Sequence, residues 1–296
     1  MLKAEPKIIL GLDQFRSCIR EAASQGKWHA WKRTYFEQFK DAFQPMLDVL
    51  YQMELDGLRP FVESLDFVNA LANAERFVNL GGVERVRAAL MQCIEVLPSM
   101  RSFPVYLIIG VGHANGMALP SESPFMFIGL EMAIPLDGLD GLIAHEYNHL
   151  FRVQRFYAPR ADWTIERMCV GEFTLSEGLA TIFALTHTNQ AVSAERISAT
   201  ILSLRSVKDL LGREREMAND VAAHWERPAT REMVERFIES GVACYIGARA
   251  IATLIEEGHD ITSLTMMDPG ALDALARPRI EEMASPCEHG VGGEQQ

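Results

Sequence analysis

The sequence predicts an α+β fold, mostly helical with a small antiparallel or mixed sheet and a helical region in front of it. Three observations carry this. Apolar residues recur at three- and four-residue steps through the first hundred positions. Two short β-branched and aromatic runs follow, at 105–110 (VYLIIG) and 125–130 (FMFIGL). Helical periodicity then returns at residue 139 and dominates to about residue 257.

In the first region, Phe36, Phe39, Phe43, Met46, Leu47 and Leu50 form one apolar stripe, and Val83, Val86, Leu90, Ile94 and Leu97 form another. Such stripes are faces that seek a core. Gly81 and Gly82 precede the second helix, and Pro98 and Pro104 close it, so a boundary is expected near residue 100. The two strand segments are separated by a turn-rich stretch, HANGMALPSESP, with an Asn115-Gly116 step. The later helices are read from Leu142, Ile143, Leu150 and Val153, then from 175–184, 233–238 and 242–255. The division expected is a helical region over 1–100, a second domain over 101–285 and a flexible tail over 286–296.

Composition narrows the function. With 296 residues, 48% of them hydrophobic, the chain is long enough to bury a full core. Its 40 acidic and 28 basic residues give a formal charge of -12, which offers no electrostatic footprint for nucleic acid. No apolar run approaches the roughly 20 residues of a membrane helix, and the first residues lack the pattern of a secretory signal. A cytoplasmic protein is expected, with neither nucleic acid nor membrane as partner. The five scattered cysteines, Cys18, Cys93, Cys169, Cys244 and Cys287, read as reduced thiols. Cys287 and His289 share the glycine-rich tail, but two potential ligands there make a poor metal site.

The chemistry is concentrated in LIAHEYNHLF. Helical geometry places His145 and His149 one turn apart on one face, where both imidazoles can reach a single ion. Glu146, about 100° further round the helix, falls beside the ion's open position and can take a proton from water. Zinc suits such a site, because three protein ligands leave a fourth position for a water molecule. The third ligand is expected from the following helix. Glu177, in GEFTLSEGLATIFAL, is the better candidate, since Ala180 and Thr181 on the same face let that helix come close. Its rival Glu172 is expected in the first helical turn, where a carboxylate is explained by the helix dipole.

The HEYNH motif, followed by SEGLA and later by CYIGARAI, resembles the gluzincin metallopeptidases. It is most similar to a bacterial group of predicted zinc-dependent proteases whose domain has no assigned function. The metzincin pattern does not apply, because Arg152 and Arg155 stand where its glycine and third histidine would fall. The resemblance spans roughly residues 100–257. It implies a thermolysin-like core, one zinc ion held by His145, His149 and Glu177, Glu146 as general base, and a peptide or protein as substrate. It implies no organic cofactor. Tyr245, at the tyrosine of the later helix, and His224 are the candidates for stabilising a developing oxyanion. The edge of FMFIGL or of MALP would present backbone groups to an extended peptide. Two alternatives remain open: a zinc hydrolase for a non-peptide amide or ester, and a regulatory or binding protein that keeps this fold without turnover.

Overall fold

A computed structural model describes residues 5–112, 115–119, 123–133, 135–158, 168–200 and 207–285. The sheet has four strands, β1 (Pro6–Leu10), β2 (Phe103–Ile108), β3 (Gly116–Leu119) and β4 (Phe125–Gly129), in the order β1-β2-β4-β3. β1 runs parallel to β2, β2 parallel to β4, and β3 antiparallel to β4. The sheet is therefore mixed. It corrects the reading of the first hundred residues as all helical, because β1 pairs with β2 across about 100 positions of chain. It also turns four of the twelve residues of the turn-rich stretch into the edge strand β3. β4, buried along its whole length, lies inside the sheet.

Among the described residues the longer helices are α1 (Leu12–Gln25), α2 (Phe67–Asn79), α3 (Gly82–Val96), α4 (Leu139–Arg152), α5 (Val170–His187), α6 (Val207–Ala223), α7 (Val242–Glu256) and α8 (Pro269–Ala284). The aromatic stripe of the first region is buried, with Phe36, Phe39, Phe43, Met46 and Leu47 all in the core. Its backbone is not one α-helix, however. π and 3-10 turns break it at Trp31–Phe36, Glu37–Phe39 and Met46–Tyr51. The main apolar core takes in Phe15 and Tyr35 from the first region and Ile251 and Leu254 from α7.

α4 is fixed by the side chains that turn away from the histidines. Tyr147 donates its hydroxyl to the Leu97 carbonyl at 2.6 Å, tying α4 to the end of α3. Asn148 donates to Thr265 Oγ1 at 2.9 Å. Arg152, 2% exposed, donates to the carbonyls of Thr265 and Met267 and lies over the Phe156 ring. Buried polar groups with partners of this kind fix the rotation of a helix, because each bond holds at only one angle.

α5 starts where Cys169 Sγ accepts the Glu172 N–H, and it packs against α4 on one side and α7 on another. Two flanking helices explain why it is apolar nearly all round. Its approach to α7 depends on paired glycines: a Cβ on Gly178 would meet the Gly247 carbonyl carbon at 2.3 Å, and one on Gly247 would meet the Thr174 carbonyl oxygen at 1.9 Å. No single described helix is long and apolar enough to cross a membrane.

Candidate metal centre

α4 and α5 together build the site. His145 and His149, four residues apart, turn toward each other with Nε2 atoms 3.1 Å apart and ring planes at 78°. α5 then delivers Glu177 between them. Its Oε2 lies 3.5 Å from His145 Nε2 and its Oε1 lies 3.3 Å from His149 Nε2. One donor atom from each of the three residues falls within 4.8 Å of the others.

These separations suit zinc. With metal–ligand distances of about 2.0–2.1 Å, the corners of a tetrahedron stand about 3.4 Å apart; the two Nε2 atoms are 3.1 Å apart, and the Glu177 oxygen nearest each of them stands 3.3 and 3.5 Å away. The side chains of His145, His149 and Glu177 are 24%, 13% and 13% exposed, so the cluster is partly accessible to solvent. Burial alone would raise the Glu177 carboxyl pKa, yet the His149 charge and hydrogen bonding with both imidazoles hold it well below the ordinary value. Such a carboxylate stays ionised and ready to ligate.

Two contacts orient the potential ligands. Ser176 Oγ lies 3.1 Å from His149 Nδ1, so once the ring is neutral, as a ligand must be, an Nδ1–H donated to the hydroxyl leaves Nε2 with its lone pair toward the cluster. From α7, the Cys244 thiol donates to Glu177 Oε2 at 3.2 Å. The thiol pKa is pushed well up, by burial first and then by the Glu177 charge.

Glu146 is buried beside the cluster, not within it, and is only 7% exposed. Burial pushes its carboxyl up to about 7, a rise opposed by His145, reinforced by Glu177 and opposed again by an Ala118 N–H that donates to it. Ala118 belongs to β3, which lies directly on Glu146: a Cβ on Gly116 would stand 2.9 Å from Glu146 Cγ and 3.0 Å from Leu142 Cδ1. The edge strand can sit here only because residue 116 has no side chain.

The remaining candidates lie elsewhere. Glu172 accepts the Tyr157 hydroxyl at 2.6 Å, and Glu177 is the carboxylate beside the imidazoles. Tyr245 is fully buried and donates its hydroxyl to Glu214 Oε2 at 2.6 Å, a carboxylate that also accepts from Arg249. His224 pairs its Nδ1 with the Asp220 carbonyl at 2.8 Å and lies against the Phe237 ring. Among the described residues, no hydrogen bond joins Tyr245 or His224 to the cluster. Cys287 and His289 lie outside the described residues. Ser176 and Cys244 were not anticipated, although each neighbours a residue that was: Ser176 precedes Glu177, and Cys244 precedes Tyr245.

An α+β fold with a His-His-Glu group able to hold a metal, and a buried glutamate at its side, has the makings of a metal-dependent hydrolase. Residues 95–204 match the model of a family described as predicted Zn-dependent protease, the group that the sequence resembles. The matched stretch contains His145, Glu146, His149 and Glu177. No curated protein and no solved structure gives a match.

Proposed function

We propose that the protein is a zinc metallopeptidase of the gluzincin type, with His145, His149 and Glu177 as ligands to one zinc ion and Glu146 as general base. The observation that carries this reading is the convergence of three ligand atoms from two helices, with the Glu146 carboxyl buried at their side. Zinc in such a site polarises a carbonyl and lowers the pKa of water to about 7. Glu146 then does the proton work: it accepts a proton from the attacking water and returns it to the leaving amine. Burial favours the protonated form of its carboxyl, which helps it to take up the proton. β3, at the sheet edge beside Glu146, offers backbone groups along which an extended peptide would lie, which favours a peptide over a small amide or ester.

Glu146→Gln keeps the shape and removes the base. Hydrolysis of a peptide substrate is expected to fall by about 10²–10⁴-fold while zinc content stays at the wild-type level. Undiminished turnover in that variant would sink the assignment. Screening wild type against peptides, small amides and esters in parallel separates the substrate classes, and peptides are expected to be cleaved fastest. Gly116→Ala probes how Glu146 is seated. The added methyl group must displace Glu146 or lift β3, and a loss of about tenfold in kcat is expected with zinc retained. Wild-type kcat would show that the strand does not set the position of the base.

A further inference from the structure

We propose that Cys244 is a positioning residue of the metal centre, whose thiol engages Oε2 of Glu177 and so fixes the orientation in which that carboxylate meets the two imidazoles. The inference rests on the metal-site reading given above and adds a residue that the motifs do not contain.

The case begins with helix packing. α7 reaches the Glu177 side of α5 only because Gly178 and Gly247 let the two backbones touch, and this close approach brings Cys244 to Glu177. Sγ and Oε2 then stand 3.2 Å apart, a good distance for a sulfur donor. A glutamate side chain has three rotatable bonds, and a free carboxylate can present either oxygen, or both, to an ion. Here the thiol engages the oxygen that stands 3.5 Å from His145 Nε2, while the other stands 3.3 Å from His149 Nε2, so the thiol fixes how the carboxylate is turned between the two rings. A carboxylate held in one orientation would meet a metal ion without first losing rotational freedom.

Cys244 is not itself one of the clustered donors: among the described residues the mutually close set is His145, His149 and Glu177. It acts through Glu177, as Ser176 acts through His149. Both orienting groups are neutral, so neither adds charge to the site. Partners of this kind are ordinarily worth 10–100-fold in metal affinity.

The test compares full-length wild type with Cys244→Val, Cys244→Ala and Cys244→Ser, each stripped of metal and titrated with zinc against a chromophoric chelator. Valine fills the space without a donor, alanine empties it and serine restores a donor. Loss of about 10–100-fold in zinc affinity is expected for valine and alanine, with serine close to wild type. Circular dichroism identifies any variant that fails to fold, and the remaining pair still decides the matter. Cobalt-loaded protein gives a second readout: no thiolate-to-cobalt charge-transfer band in wild type, and d–d bands that shift in the valine variant but not in the serine one. Equal zinc affinity in all four proteins would overturn the proposal alone. So would a thiolate band in wild type, which would make Cys244 a ligand. Failure of wild type to bind zinc or cobalt would bring down the metal-site reading, and this proposal with it.

Discussion

Replacing His149 or Glu177 with alanine is expected to remove zinc and hydrolysis together, whereas Glu146→Gln removes hydrolysis alone. Structural zinc sites bind with about 10–16 kcal/mol, so a single ligand among four is worth roughly 3–4 kcal/mol, or about two to three powers of ten in Kd. Dialysed against a chelator, such a variant should lose its metal under conditions in which wild type keeps it. Glu177→Ala is the more informative change, because the two histidines of the motif remain and only the partner supplied by α5 is lost. Metal analysis of the purified variants decides the point. If Glu177→Ala keeps wild-type zinc content, the third ligand has been assigned to the wrong residue. The fold is expected to survive these changes, since α4 is held by Tyr147, Asn148 and Arg152 and not by its histidines.

Gly247→Ala should damage the protein without touching a reacting group. One methyl carbon would be placed 1.9 Å from the Thr174 carbonyl oxygen and 3.1 Å from the Gly178 nitrogen. The obstacles are helix backbone, which cannot rotate aside as a side chain can. α5 and α7 must therefore separate, opening a contact at the centre of the core. Overpacking of this kind costs about 3 kcal/mol or more, a large share of the roughly 5–15 kcal/mol that stabilises a domain. At about 2–4 °C per kcal/mol, the metal-free protein should melt some 6–12 °C lower, measured by calorimetry. Zinc affinity should fall as well, because the same separation carries Cys244 away from Glu177. An unchanged melting temperature would mean that the helices do not approach as closely as described.

The site was legible in the sequence to the extent that its geometry is helical. The His145 and His149 spacing fixes their mutual position, and Glu177 could be preferred over Glu172 because one sits within a helix and the other at its start. Tyr245 shows where that kind of reading stops. Adjacent residues on a helix point about 100° apart, so when α7 turns Cys244 toward Glu177 it turns Tyr245 toward Glu214 on α6. Which neighbour faces the site depends on how α5, α6 and α7 pack, and no local pattern records that. The sheet divides in the same way. β4 is fully buried and reads as an apolar run, whereas β1 and β3 are short edge strands with weak patterns of their own. What makes each a strand is a partner contributed from elsewhere, and for β1 that partner is distant in sequence.

That distance bears on how the chain comes into being. Leu10 aligns with Leu107, so at about 5–20 residues per second the ribosome needs roughly 5–20 s to deliver the neighbour that the first strand requires. Throughout that interval the hydrogen-bonding groups of KIIL face water or whatever else will pair with them. High contact order of this sort slows folding and lengthens exposure to wrong partners. The vulnerable moment for this protein thus falls during its synthesis, before the histidine-bearing helix has emerged at all.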